Sequence, residues 1–349
     1  MKTNSKLLVD ALSIVNGAIN NTATLPILQN VLFQLKGNEL TLTGSDLETT
    51  LVVNIEVESD EETQFCTDGK KLVEFLKSVG NEYIELNVGN VLEIITSNGN
   101  YELPIEHAND YPNTPQIQGQ KTTINAELLK DGFNKTSGFT GTDDLRPIMT
   151  GVYLHDNVFV STDAHVLSKY TTSTKIDGNF IIPKKAVNII KSVVDGDVVL
   201  IYDETNLHIK SGSVTLVTRL IDGKYPNYEA VIPKEHTSIF TFNRKELLNT
   251  LRRLSVFANK TTNQIKFTFG SEVVIESQDV DMSNKGREVF KGEYLGSGLV
   301  IGFNSRYLTN VLNNYNEETL TMQMSAPNRA AVIESNGLLN LVMPVLCEK

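Results

Sequence analysis

A single unit recurs three times along this 349-residue chain, and no other feature constrains its fold as strongly. The unit is a polar approach to a Pro, an apolar strand, a tight turn, a second strand and a Ser/Thr-Asp corner. It first runs from Leu25-Pro26-Ile27 through Phe33, Gly37-Asn38 and Leu40 to Thr43, ending at Ser45-Asp46. It recurs from Arg146-Pro147-Ile148 through Leu154, Asp156-Asn157 and Val158 to Val160, ending at Thr162-Asp163. A weaker third copy runs from Gln264 through Phe269, Gly270-Ser271 and Val273 to Ile275, ending near Gln278-Asp279. Asp46 and Asp163 are 117 positions apart, Asp163 and Asp279 are 116 apart, and a third of the chain is 116.3 residues. Tyr111-Pro112-Asn113 and Tyr225-Pro226-Asn227 keep nearly the same interval. Solenoid repeats span roughly 20–50 residues, so a copy this long can hold a core of its own.

Each copy reads as the same order of elements. In the first, Leu7, Leu8, Ala11, Leu12, Val15 and Ile19 form one helical face. Strands follow, then a second helix carrying Leu72, Val73, Phe75, Leu76 and Val79, then more strands joined by Gly-Asn turns. Pro183 suits the first turn of the matching helix in the second copy. The expected fold is α+β: three similar domains, 1–118, 119–236 and 237–349, each with two helices packed on antiparallel sheet.

The charge divides by element. The chain carries 31 Lys and Arg against 42 Asp and Glu, a net charge of −11, which excludes a wholly basic surface but not a local one. The helices predicted at 4–20, 70–79, 125–136, 183–194, 243–260 and 304–315 hold fifteen cations and five acids, or +10. Everything else sums to −21. Positive charge gathered on helices fits contact with duplex phosphates, and no aromatic interleaving points to base stacking. The alternative is a three-domain protein-interaction scaffold that never meets DNA, with these helices as a solvated face.

Other classes find little support. Asp163 and His165 lie two apart, but no Ser or Cys nucleophile shares a motif with them. The stretch Gly296-Ser297-Gly298 to Gly302 has the wrong spacing for a dinucleotide fingerprint. Cys66 and Cys347 form neither a disulfide framework nor a zinc site. The longest clean apolar run, Val198 to Tyr202, is far short of a membrane span, and Asp10 interrupts the only candidate signal core. The expectation is a non-catalytic cytoplasmic protein with no cofactor, no metal and no membrane partner.

Six motifs in order give a more specific likeness. They are Leu25-Pro26-Ile27-Leu28; Leu40 through Gly44-Ser45-Asp46-Leu47-Glu48; Thr162-Asp163-Ala164-His165-Val166-Leu167; Asp222-Gly223-Lys224-Tyr225-Pro226-Asn227-Tyr228; Gly302-Phe303-Asn304 with Tyr307-Leu308; and Met343-Pro344. Together they resemble the bacterial DNA polymerase III beta subunit, the replication sliding clamp, over the whole chain. The resemblance implies a head-to-tail homodimer whose six domains close a ring, helices inside and sheet outside, around sequence-independent double-stranded DNA. Helices pack about 9 Å apart, so six would line a hole about 17 Å across and twelve one of about 34 Å. Only the larger clears a duplex about 20 Å wide.

The same resemblance implies sites and partners. DNA-facing cations would be Lys70, Lys71, Lys77, Lys130, Arg146, Lys184, Lys185, Lys191, Arg244, Lys245, Arg252 and Arg253. The dimer contact would join Tyr101 and Leu103 of one chain to Val256 and Phe257 of the other. A pocket for extended peptides of the replicative polymerase alpha subunit, the clamp loader, repair polymerases and mismatch-repair proteins would be walled by Met149, Thr162, His165, Leu167, Pro226, Val231, Asn304, Tyr307, Leu341, Met343 and Pro344. Asn304 and Tyr307 would orient the peptide backbone. The chain departs from the commonest family pattern at Ala164, Val166 and Ala230, in its tail Val345-Leu346-Cys347-Glu348-Lys349, and at Asn20-Asn21-Thr22, where a basic residue is common. The departures at Ala164, Val166, Ala230 and the tail make the pocket less cationic, and the one at Asn20-Asn21-Thr22 removes a cation that the resemblance would place in a DNA-contacting loop.

Overall fold

The computed structural model describes residues 1–349 apart from Asn21, Thr24, 116–118, Glu348 and Lys349. Asn21, the expected boundary at 118 and the last two residues of the tail lie outside the described residues.

The three thirds share one order of elements. The first has β1 (Lys2–Asn4), α1 (Ser5–Val15), β2 (Val31–Lys36), β3 (Glu39–Ser45), β4 (Thr49–Glu56), β5 (Glu62–Thr67), α2 (Gly69–Val79), β6 (Tyr83–Val88), β7 (Val91–Thr96) and β8 (Gly99–Pro104). The second has β9 (Gln120–Asn125), α3 (Ala126–Thr136), β10 (Gly151–His155), β11 (Val158–Thr162), β12 (Val166–Thr171), β13 (Asn179–Pro183), α4 (Lys184–Val193), β14 (Asp197–Tyr202), β15 (Asn206–Ser211) and β16 (Val214–Arg219). The third has β17 (Ser238–Asn243), α5 (Arg244–Ser255), β18 (Gln264–Phe269), β19 (Val273–Asp279), β20 (Asn284–Phe290), an added β21 (Glu293–Leu295), β22 (Leu299–Asn304), α6 (Ser305–Asn313), β23 (Thr319–Met324), β24 (Ala331–Ser335) and β25 (Leu338–Val342).

Local chemistry sets the helix limits. The Asn4 carboxamide oxygen accepts the Lys6 and Leu7 amides, and Asp68 caps α2 through the Lys70 and Lys71 amides. The helix α1 is shorter than expected: it stops at Val15, so Ile19 lies beyond it, and Leu7 is exposed. Its end abuts β3, where any Cβ on Gly44 would run into the Val15 carbonyl.

The sheets run across the sequence repeat. Two have four strands, in the orders β1-β6-β7-β8 and β20-β19-β18-β22. The others combine neighbouring thirds: β5-β2-β3-β4-β16-β15-β14-β9, and β13-β10-β11-β12-β25-β24-β23-β17-β21. The backbone falls into two compact units, Met1–Lys130 with Ile182–Asp222, and Asp131–Ile181 with Gly223–Lys349. Each joint between thirds thus lies inside one unit.

The two joints have the same register. Thr49 faces Thr218 at the first and Val166 faces Val342 at the second. The Arg219 amide donates to the Glu48 carbonyl at 2.8 Å, and the Met343 amide to the His165 carbonyl at 2.8 Å. Strand register also corrects the corner spacing. Ser45 faces Thr50 and Thr162 faces Leu167, but in the third copy it is Asp279 that faces Asn284. Asp279 therefore occupies the place of Ser45 and Thr162, one residue before the corner Asp of the other copies.

In the second unit one apolar core joins Phe240, Phe267, Phe269 and Phe303 of the third copy to Phe139 and Val166 of the second. The Phe240, Phe267, Phe269 and Phe303 rings meet edge-on or stacked at centroid distances from 5.1 to 5.8 Å.

Candidate functional site

The second corner is held by its own polar groups. The Thr162 hydroxyl donates to the Val166 carbonyl at 2.7 Å, and the Asp163 carboxylate accepts the His165 and Val166 amides, each at 2.8 Å. Asp163 is therefore a turn-capping group. The His165 ring stacks on Tyr307 instead, with centroids 5.6 Å apart and planes 14° apart. Burial, helped by the Asp163 charge, raises the pKa of the Tyr307 hydroxyl.

Ala164 sits in the left-handed region with φ 76°, as Leu47 does at the first corner with φ 77°. A Cβ there costs about 1 kcal/mol. Ala164 is exposed, so its methyl group packs little. We expect Ala164→Gly to raise stability by about 0.5–1 kcal/mol, read as a higher urea midpoint at unchanged slope. An unchanged or lower midpoint would count against strain at this corner.

All the expected pocket residues belong to the second compact unit. A cavity of about 180 Å³ gathers Met149, His165 and Tyr307 with Gly141, Thr142, Asp143, Arg146 and Asp163. One of about 570 Å³ gathers Val231 and Met343. Leu167 and Leu341 are opposed on β12 and β25, and both are buried, so they back the wall from inside; Thr162 is buried beside them. The Pro226 carbonyl accepts the Tyr228 amide at 2.7 Å and starts the short turn that presents exposed Val231. Pro344 is half-buried, and after it the Val345 amide reaches the Gly302 carbonyl at 2.8 Å.

Asn304 differs from expectation. Its carboxamide oxygen caps α6 through the Arg306 amide at 2.9 Å, and its NH2 donates to the Thr262 carbonyl at 3.1 Å. That leaves Tyr307, not Asn304, with the freer polar group facing the 180 Å³ cavity.

The six helices carry fourteen cations and five acids, +9, because Lys260 falls beyond α5. Five of them open on cations: Lys6; Lys70 and Lys71; Lys184 and Lys185; Arg244 and Lys245; Arg306. The helix dipole disfavours positive charge there, so helix stability does not explain the pattern. Lys71, Lys77, Lys245 and Arg252 are exposed, as is Lys70. Lys184 and Lys191 are half-buried, and burial, with the nearby Lys184 charge, lowers the pKa of Lys191.

Several cations are bound to carboxylates or carbonyls of the chain. Lys185 Nζ meets the Asp46 carboxylate at 2.5 Å and the Ala18 carbonyl at 2.7 Å. Arg244 donates to the Glu317 and Leu312 carbonyls, closing the end of α6. Arg253 grips Glu288 through two nitrogens at 2.8 and 2.6 Å, holding that carboxylate below its usual range. Arg146 pairs with Asp143 at 2.9 Å, and Lys130 lies 3.5 Å from Glu127. Among the described residues, no group of three or more His, Cys, Asp or Glu could hold a metal ion, and no helix is long and apolar enough to cross a membrane.

Two of the expected dimer residues sit on an open sheet edge, and a third packs beside another. Tyr101 and Leu103 lie on β8, an edge strand, and the Tyr101 ring packs on Phe75 of α2 at 4.5 Å. Val256 and Phe257 follow α5, with Val256 64% and Phe257 40% exposed. Phe257 packs beside Gly286 of β20, the edge strand of the other four-stranded sheet. Sequence reasoning missed β20 itself. The alternation Lys285, Arg287, Val289, all exposed, was the available signal.

Comparison with known proteins completes the picture. Family models of the DNA polymerase III beta subunit match in chain order: the N-terminal domain over residues 1–115, the central domain over 123–227 and the C-terminal domain over 229–345. A beta sliding clamp from Pseudomonas putida is 28% identical over 346 residues, covering 95% of this chain and 94% of that protein. One from Chlamydia muridarum is 25% identical over 345 residues, with 95% and 94% covered. The crystal structure of the DNA polymerase sliding clamp from Pseudomonas aeruginosa with ligand has TM-score 0.94 at 25% identity over 99% of both chains. The chain belongs to the DNA polymerase III beta subunit family, and its three α+β copies are that family's clamp domains.

Proposed function

We propose that this protein is a DNA sliding clamp: a non-catalytic ring, closed by two chains head to tail, that encloses duplex DNA and tethers a polymerase to it. The observation that carries this reading is the pair of four-stranded half-sheets. Every inner joint between copies pairs the strand after a corner with the last strand of the next copy: β4 with β16, β12 with β25. The strands left over in those roles are β20 and β8, each with one edge open. A second chain supplies the partner for both, and a head-to-tail contact that closes after two chains makes a ring and not a filament.

The inner joints also fix a register. Carried to the third joint, it sets Leu103 opposite Ser283 of the other chain and Tyr101 opposite Lys285. The exposed apolar surface of Val256 and Phe257 then lies beside the contact. The domain limits remain those read from the sequence, 1–118, 119–236 and 237–349.

Helix cations face the phosphates, led by Lys70, Lys71, Lys184 and Lys245 in first turns and Lys77, Lys191 and Arg252 in last turns. Lys130, Arg146, Lys185, Arg244 and Arg253, bound to carboxylates or carbonyls of the chain, add to the field. A diffuse field without base contacts binds no single register strongly, so the ring slides. The wall from Met149 to Met343 takes extended peptides of the polymerase, the clamp loader and repair proteins. The protein works in the cytoplasm and needs no cofactor.

The test is topological. Protein is loaded on nicked circular plasmid by a clamp loader and then passed through a sizing column at about 0.15 M salt, where the Debye length is about 8 Å. We expect it to travel with the circle and to leave once the plasmid is cut to a linear form. Equal retention on both forms would mean adhesion and not enclosure.

A further inference from the structure

The 570 Å³ cavity that shares Val231 and Met343 with the peptide wall extends well past them. Its far side is formed by Lys234 and Glu235 on one segment and by Asn328 and Arg329 on another. Both segments are fixed by backbone bonds. The Arg329 amide donates to the Ala326 carbonyl at 3.1 Å, and the Thr237 amide to the Met324 carbonyl at 3.0 Å. The Thr237 hydroxyl reaches the Ser325 carbonyl at 3.2 Å. Lys234 and Arg329 are exposed, and among the described residues neither makes an ion pair. Ala230, whose side chain is small, lines this cavity and, with Lys234, also a second one of about 450 Å³.

Two cations without partners are notable in a chain of net charge −11. Most of this surface repels an acidic segment, while this end of the cavity attracts one. We infer that the cavity takes an acidic flank of the partner peptide, with Lys234 and Arg329 as its charge partners and Val231 and Met343 holding the neighbouring apolar anchor. This inference rests on the reading of the peptide wall given above and adds a specificity to it. Glu235, the one acid in the lining, opposes a flank of the wrong register and helps to orient the right one.

The probes are three fluorescein-labelled peptides with a common centre of Leu and Phe anchors suited to the apolar wall, flanked on both sides by Asp-Asp, Ser-Ser or Lys-Lys. Anisotropy titration of the full-length protein measures each. Two exposed ion pairs give about fivefold tighter binding of the Asp-flanked peptide than of the Ser-flanked one, and the Lys-flanked peptide is weakest. The gap closes at about 0.5 M salt, where charges are screened within a few ångströms. The double variant Lys234→Gln, Arg329→Gln removes the order. If the wild type binds Asp- and Ser-flanked peptides equally well, the peptide wall stands and the acidic preference falls. If the preference survives in the double variant, these two cations are not its source and the inference is overturned. If no peptide binds, the wall itself is misread and the inference goes with it. Val231→Asp separates the two readings from the other side: it weakens all three peptides together.

Discussion

Leu103→Asp combined with Phe257→Asp should leave the protein monomeric in sedimentation velocity at concentrations where the wild type is a dimer. Leu103 lies on the open edge of β8, and Phe257 packs beside the open edge of β20. Each joint of the proposed ring contains one of each. Both substitutions put a carboxylate where pairing removes water, and an unpaired charge buried this way costs about 3 kcal/mol or more. Two per joint amount to at least about 4 kcal/mol after relaxation, roughly a thousandfold in dissociation constant. Neither residue belongs to a buried core, so the far-UV spectrum should be unchanged. A companion variant tests the register: Leu103→Cys with Ser283→Cys should oxidise to a covalent dimer, because facing residues on antiparallel strands lie about 4.5–5.5 Å apart at Cα, within disulfide range. A dimer that survives both Asp substitutions would sink the interface assignment. Cross-linking at another register would move it.

How far the sequence could be read depends on what kind of interaction places each residue. The repeat, the six helices and the α+β class were legible because hydrophobic period and turn residues are local signals. The end of α1 was not. Ile19 continues the apolar spacing, but the helix has already stopped where β3 passes it at Gly44, and that is a tertiary contact. The corner Asp of the third copy was misplaced by one residue for a related reason. Matching letters put Asp279 with Asp46 and Asp163, whereas strand pairing puts it with Ser45 and Thr162.

The peptide wall shows the same limit. Motifs could propose its apolar members, but they could not show Asn304 to be a helix cap already bonded at both ends of its amide. Nor does composition tell a cation that faces solvent from one bonded inside the chain. Lys71 and Lys185 each stand in the first turn of a helix after another Lys, yet only Lys185 is bound to a carboxylate and a carbonyl of the neighbouring copy. At the first joint that bridge fastens Asp46, the counterpart of Asp163. At the second joint the corner carries His165 stacked on Tyr307, with open space beside it. Two joints with one register thus differ in their side chains, and on the proposed reading those side chains decide which of them takes a peptide.

Ending the chain at Val342 should abolish polymerase stimulation while sparing the dimer. The removed segment does three things. Met343 lines the 570 Å³ cavity and donates its amide to the His165 carbonyl, which holds the corner against β25. Val345 pairs with Gly302 on the free side of β22, so the tail also covers a sheet edge. The Cys347 sulfur packs so closely over Gly302 that any Cβ there would strike it, and the Gln264 amide reaches the sulfur at 2.9 Å. Losing the apolar floor of a peptide site removes about 2–4 kcal/mol, thirty- to a thousandfold in affinity. The open edge β20 is on the opposite side of its sheet from β22, so the chain-to-chain contact should persist. The point variant Met343→Asp separates the roles, because it keeps the Val345–Gly302 pair. If truncation and point variant lose peptide binding alike, the side chain carries the site. If only the truncation does, the tail acts by holding the edge of β22. Normal polymerase stimulation by the truncated protein would remove the pocket from this surface altogether.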